Sequence, residues 1–168
     1  HILDESLQGF ARAHDDIVTL STEPNYVRRR DVAPTPKVAL VSGGGSGHEP
    51  LHAGLVGHGM LDAACPGQVF TSPTPDQMLA AAEAVENGAG VLFIVKNYAG
   101  DVMNFEIAAE MLEVDNDSVL IKDDVALPKD HSTGRRGVAG TLIVEKIVGA
   151  AAENGADLPA CKSLAQRV

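Results

Sequence analysis

Aromatic residues are scarce in this 168-residue chain: there is no tryptophan, and two tyrosines and four phenylalanines make up only 4% of it. Apolar residues still reach 45%, so the core is built from Ala, Val, Ile and Leu, with abundant glycine allowing helices and strands to pack closely. Cysteine is equally sparse. Cys65 and Cys161 stand far apart with no CxxC pair, which excludes a disulfide framework or a cysteine zinc site and leaves each as a small buried hydrophobe. No apolar run approaches the roughly 18 residues of a membrane span. Basic residues are outnumbered 13 to 23, for a formal net charge of −10, which argues against nucleic acid or an anionic membrane as partner. The opening residues His1-Ile2-Leu3-Asp4-Glu5-Ser6 lack an initiator Met and any signal-peptide pattern. Together these absences predict a soluble, cytoplasmic protein whose natural start is not His1. The length suits one domain, which buries roughly 70% of its unfolded surface and needs no staple.

What is present alternates. Ile2 to His14 carries apolar residues at near-helical spacing, Ile17 to Leu20 is a short apolar run, and 22–36 reads as an exposed polar connection. Lys37 to Val41 predicts a buried strand ending in glycine. Ser72-Pro73-Thr74-Pro75-Asp76 offers a capping hydroxyl, a first-turn proline and an acid for the start of a helix over Gln77 to Asn87, with Gly88 as its stop. Val91 to Val95 is the clearest strand, and it leads into Lys96-Asn97-Tyr98-Ala99-Gly100-Asp101 and a helix over Val102 to Glu113. Val119 to Lys122 predicts a third strand, followed by Asp123-Asp124, a loop over 126–136, and helices over Gly137 to Glu153 and Leu158 to Val168. Strand and helix alternation with continuous apolar strands predicts a single α/β domain over 1–168, with a mostly parallel central sheet flanked by helices. Ligands of such sheets collect at the carboxyl ends of the strands. The segments 42–50, 96–101 and 122–124 are therefore expected on one shared edge.

The stretch Ser42-Gly43-Gly44-Gly45-Ser46-Gly47-His48-Glu49-Pro50 frees the backbone to approach a ligand closely, with amides placed to hold an anion or a polarised oxygen. It lacks the Lys-Ser/Thr pair of a P-loop, and the dinucleotide pattern would need glycine where His48 stands, so nucleotide binding is not expected here. His48 has a proton mobile near neutral pH for a carbonyl or hydroxyl oxygen; the alternative is that it caps a turn.

The segment Val38 to Pro50 resembles the signature of the dihydroxyacetone kinase family's substrate-binding subunit. The resemblance continues through Gly59-Met60, Ala64-Cys65-Pro66-Gly67, Phe70 to Asp76, Val95 to Asp101, Asn104-Phe105-Glu106, Asp123 to Ala126 and Gly134 to Gly137, in order along nearly the whole chain. It implies dihydroxyacetone as the substrate, contacted by Gly44, Gly45 and His48, and phosphorylated to dihydroxyacetone phosphate. Asp101 is similar to the family's carboxylate that hydrogen-bonds the reacting hydroxyl. The residues allow that role, since a carboxylate at a helix start can take a hydroxyl proton during phosphoryl transfer; they equally allow helix capping. Lys96 either holds a substrate hydroxyl and offsets phosphoryl charge, or is a surface cation at a strand end. Thr71 and Ser72 read as capping hydroxyls near the pocket.

No metal site is expected in this chain. His52, His58 and His131 have no metal-ligand spacing and read as packing or surface residues, and the Mg²⁺ reading of Asp123 and Asp124 is set aside. The resemblance implies ATP/ADP and Mg²⁺ on a separate subunit or domain, a nucleotide-binding kinase subunit as partner, and a homodimer. It also implies a second domain whose His holds the ketone covalently as a hemiaminal; no residue here matches that segment, so this stretch alone is expected to be inactive. The donor implied is ATP or phosphoenolpyruvate through a phosphotransferase relay. A non-catalytic dihydroxyacetone-binding paralogue acting as a transcriptional co-regulator is the alternative. Fewer residues join Glu113 to Val119 than the family usually has.

Overall fold

The computed structural model describes residues 2–128, 130, 132 and 134–168. Its elements follow the order α1 (Ile2–Ala13), β1 (Val18–Thr22), β2 (Asn25–Arg29), β3 (Ala39–Ser46), β4 (Ala63–Val69), α2 (Pro75–Val85), β5 (Val91–Lys96), α3 (Ala99–Met111), β6 (Asn116–Ile121), α4 (Gly140–Glu153) and α5 (Leu158–Arg167), with one 3-10 turn at Ala53–Leu55. Six strands form one sheet in the order β1-β2-β4-β3-β5-β6. The run β4-β3-β5-β6 is parallel, and the β1–β2 hairpin joins it antiparallel through β2. The α/β architecture expected from the strand–helix alternation is the one found.

The continuous apolar runs are explained by burial on both sides of the sheet. In β5, Val91, Phe93 and Val95 point into a cluster with Met78 of α2 and Phe105 and Ala108 of α3. Leu92 and Ile94 point the other way, to Leu7 of α1, Val144 and Val148 of α4 and Cys161 of α5. Alternate residues of a strand face opposite sides, so each run must be apolar throughout. Both cysteines are buried and free, as their isolation in the sequence implied.

Four expectations need correction. The glycine tract is not a loop: β3 continues through Gly43, Gly44 and Gly45 to Ser46, paired with β4 as Gly43↔Cys65, Gly44↔Pro66 and Gly45↔Gly67. A β-carbon on Gly43 would come 2.7 Å from the Cys65 carbonyl oxygen, so glycine is what lets the strand run on against its neighbour. Residues 22–36 are not merely a connection, because they hold β2. Only Val27 and Arg29 of that strand are buried, and one of the two is charged. Strand β4 has no apolar signature either, being Ala-Ala-Cys-Pro-Gly-Gln-Val; it is held by neighbours on both sides rather than by its own propensity. Finally, α4 starts at Gly140 rather than Gly137, and α3 starts at Ala99, three residues early.

A buried ion network fastens the end of the sheet opposite the carboxyl edges. Asp62 accepts from Lys37 Nζ at 2.6 Å, Arg29 Nη1 at 3.0 Å and the Leu40 amide at 2.8 Å. Arg29 also pairs with Glu153 at the end of α4. The arginine that disguised β2 is thus neutralised inside the fold.

Candidate active site

Because β3, β4, β5 and β6 are parallel, the segments that follow them emerge on one edge. This is the edge expected for 42–50, 96–101 and 122–124, with a fourth contribution, Phe70 to Ser72, from the unforeseen β4. The chain after β4 crosses directly over the end of β3. A β-carbon on Gly45 would lie 2.6 Å from the Thr71 amide nitrogen, and one on Gly67 2.1 Å from the Thr71 carbonyl oxygen. Gly47, at φ 101°, packs its bare α-carbon on the Phe70 ring. Small residues on both strands let two backbones meet where any side chain would separate them.

His48 hangs at this crossing, exposed, with Nδ1 2.8 Å from the Gly45 carbonyl oxygen and its ring edge-on to Phe70 at 5.2 Å. A carbonyl only accepts, so Nδ1 donates and the neutral ring keeps its lone pair on Nε2. The turn-capping reading of His48 is thus the one seen: Nδ1 closes the turn on Gly45, which leaves Nε2 as the acceptor of the neutral ring.

Lys96 and Asp101 are both buried, at 5% and 4% exposure, which removes the surface-cation reading of Lys96. Asp101 lies in the first turn of α3, whose N-cap is Tyr98, and Asp101 Oδ1 has no hydrogen-bond partner. Burial pushes the Asp101 carboxyl above the usual carboxylate range, against the Ser72 hydroxyl that hydrogen-bonds it and the nearby Lys96, His52 and His48. Burial likewise lowers the Lys96 ammonium, against the pull of Asp101, Glu145 and Asp123. The two move toward each other. Burial thus disfavours both charged forms, the carboxylate and the ammonium, and each partly offsets that for the other. Gly44, in β3, turns its open side to this pair: a β-carbon there would meet His52 Cδ2 at 3.5 Å and Lys96 Cε at 3.7 Å. Gly44, Gly45, His48, Lys96 and Asp101 thus gather at one place.

Other assignments change. Thr74, not Thr71 or Ser72, caps α2, its amide donating to Gln77 Oε1 at 3.0 Å; Ser72 turns to Asp101 instead. Asp123 accepts from the amides of Val138 and Gly140, each at 2.7 Å, and so caps α4, while Asp124 accepts from the Ala126 amide. Among the described residues no group of three or more His, Cys, Asp or Glu side chains is arranged to hold a metal ion. His131 lies outside the described residues. His58 is exposed beside Glu153. His52, by contrast, is buried beneath the site against Ser42 and Glu145. That placement has no sequence signal beyond the His-Glu-Pro-Leu-His spacing.

The family model of the Dak1 domain matches residues 8–168. The chain belongs to the Dak1 domain family. It is 53% identical over 171 residues to the PEP-dependent dihydroxyacetone kinase, dihydroxyacetone-binding subunit DhaK, of Escherichia coli, an alignment covering 99% of this chain and 48% of that protein. The dihydroxyacetone kinase of C. freundii, solved with AMP-PNP and Mg²⁺, superposes with a TM-score of 0.92 at 41% identity, over 99% of this chain and 32% of that one. A dihydroxyacetone kinase operon co-activator, Dha-DhaQ, superposes at 0.91 with 33% identity, over 98% of this chain and 51% of that one. The chain spans about half the length of the binding subunits that it matches. The resemblance noted in the Val38 to Pro50 segment therefore extends to the Dak1 fold as a whole, and no helix among the described residues is long and apolar enough to cross a membrane.

Proposed function

We propose that this chain is the dihydroxyacetone-binding part of a dihydroxyacetone kinase, with Gly44, Gly45, His48, Lys96 and Asp101 as its contribution to the pocket. The observation that carries the reading is the buried Asp101 carboxyl, with a raised pKa and a free Oδ1, beside Lys96. Asp101 accepts the proton of the substrate's terminal hydroxyl as that oxygen forms its bond to the transferred phosphorus and the bond between that phosphorus and the donor breaks, the electron pair leaving with the donor. Lys96 offsets charge on the arriving phosphoryl group, and His48 Nε2 holds a substrate oxygen.

The rest of the assembly belongs to the same proposal. A further domain supplies the covalent His that selects a ketone over glycerol, and nucleotide and Mg²⁺, where used, reside on a separate kinase subunit or domain. The protein works as a cytoplasmic homodimer. We favour phosphoenolpyruvate through a phosphotransferase relay as donor, because a relative named PEP-dependent reaches 53% identity and two named PTS-dependent reach 51% and 48%. The likeness to a co-activator supports a second reading, a dihydroxyacetone-responsive regulator without turnover. The full-length protein, mixed with ATP- or phosphoenolpyruvate-linked donor proteins and dihydroxyacetone, separates the two. Dihydroxyacetone phosphate should form and should fall sharply in Asp101→Asn. Binding without turnover with either donor would establish the regulator instead.

A further inference from the structure

Three polar atoms buried among the described residues have no hydrogen-bond partner: His52 Nε2, Asp101 Oδ1 and Glu145 Oε2. They come from the segment after β3, from α3 and from α4, and Lys96 lies among them electrostatically, drawn by Asp101 and Glu145. The chemistry assigned above uses Asp101 and Lys96 but not His52 or Glu145. Yet burying an imidazole at 4% exposure and a carboxyl at 0% costs stability unless their remaining atoms are used.

The hydrogen bonds around His52 determine which ring nitrogen carries its proton. Ser42 Oγ lies 2.6 Å from the Ile94 carbonyl oxygen. That oxygen only accepts, so the serine proton is committed there and Ser42 offers His52 Nδ1 a lone pair at 3.2 Å. Glu145 Oε1 lies 3.0 Å from the same Nδ1 and receives the Thr141 hydroxyl at 3.4 Å. With acceptors on both sides, Nδ1 is the protonated nitrogen and the neutral ring is bare at Nε2. That edge of the ring faces Gly44, where a β-carbon would stand 3.6 Å from Nε2 and 3.7 Å from Lys96 Cε.

We propose that Glu145 and His52 form a positioning dyad for this pocket, Glu145 orienting the imidazole so that its bare Nε2 and the Lys96 side chain together make the floor beneath Gly44. The dyad rests on the functional reading above and deepens it. Its part is to hold Lys96 where the ammonium serves Asp101, and Glu145 adds the negative charge that keeps that ammonium protonated. Charged and titratable groups reach Lys96 from every side: Asp101 on α3, Glu145 on α4 and Asp123 after β6. His52 and His48 interact with Asp101 in turn, and Tyr98 lies under both Lys96 and Arg136.

The test uses the full-length protein with its phosphate donor. His52→Asn keeps a donor toward Glu145 but places nothing at Nε2; kcat should fall about tenfold or more with KM little changed, the usual size for a group that orients a reacting one. Glu145→Gln removes the charge but not the shape. The alkaline limb of its kcat profile should move to lower pH, because the Lys96 ammonium is then held less firmly. Variants whose kcat and pH profile match the wild type overturn the dyad alone, while wild-type protein that takes no dihydroxyacetone overturns the functional reading and the dyad's role with it. Should either variant fail to fold, the ¹⁵N spectrum of His52 in the wild type decides. A protonated Nδ1 and a bare Nε2 whose resonance moves on adding dihydroxyacetone support the dyad; the opposite tautomer, or an unmoved resonance, overturns it.

Discussion

The α-carbon of Gly45 faces the Thr71 backbone so closely that a β-carbon would stand 2.6 Å from the Thr71 amide nitrogen and 2.9 Å from the Phe70 carbonyl carbon. Neither neighbour is the end of a flexible side chain, so Gly45→Ala must push two backbones apart. It should cost about 1–3 kcal/mol, in the range of overpacking a tight interior. At Gly44 the nearest atom to an added β-carbon is His52 Cδ2 at 3.5 Å, an ordinary contact. Gly44→Ala should stay within about 1 kcal/mol of wild type. Urea unfolding of both variants checks the contrast, and equal losses would show that the crossing can relax.

His48 is held by one hydrogen bond to Gly45 and one ring contact, and it is exposed. His48→Asn should therefore leave the melting temperature within a few degrees. Dihydroxyacetone affinity of the full-length protein should fall by the equivalent of about 0.5–1.5 kcal/mol, the net value of one hydrogen bond. Calorimetric titration measures it, and an unchanged affinity would return His48 to closing its turn.

Asp101→Asn separates activity from stability. Loss of the proton acceptor should lower kcat by about 10²–10⁴-fold. Because burial raises the Asp101 pKa above its ordinary value of 3.8, the ionised side chain costs the fold stability at neutral pH. That cost is fully present above the raised pKa and vanishes as pH falls below 3.8. The Asn variant should therefore be slightly more stable at pH 7, by under about 1 kcal/mol because Lys96 loses a neighbour, and the gain should disappear in acid. A variant less stable at pH 7 would mean that Asp101 earns its place structurally.

The ion network at the other end has the opposite sign. Burial raises the Glu153 carboxyl, but Lys37, the Gly59 amide and Arg29 outweigh it and hold its pKa below the ordinary 4.5. Its contribution is present above pH 4.5 and is lost as pH falls through the depressed pKa. Stability should decline more steeply in acid for wild type than for Glu153→Gln. Asp62→Ala leaves Lys37 and Arg29 with Glu153 as their shared carboxylate and the Leu40 amide without its acceptor, and should cost about 3 kcal/mol, toward the lower end for a buried pair losing one member. Chemical denaturation between pH 3 and 7 reads both.

The strand Val91 to Val95 was legible because burial on both faces demands an unbroken apolar run, whereas β6 at the sheet edge begins at Asn116, three residues before the expected strand, and exposes Leu120. Gly43 to Gly45 suggest a loop in the sequence and form strand in the fold, since glycine signals conformational freedom without saying whether it is used for a turn or for close approach. β2 and β4 were invisible for related reasons. Arg29 conceals its burial until Asp62 and Glu153 are seen beside it, and Ala-Ala-Cys-Pro-Gly has no periodicity to detect. Ser72 was read as a cap because a hydroxyl two residues before Thr74 suits a helix start as well as it suits a carboxylate across the fold.

The sequence by itself determined the fold class and the sheet edge where a ligand is expected, and the family resemblance it carries named His48, Lys96 and Asp101 as candidates, since apolar runs, strand ends and motifs are local properties of a chain. The tertiary structure alone decided that Lys96 is buried rather than exposed, that Asp101 answers to Ser72 rather than to its own helix, and that His52 rests on Glu145, 93 residues away. Those relationships depend on desolvation and on contacts between distant segments, and neither is written at any one position.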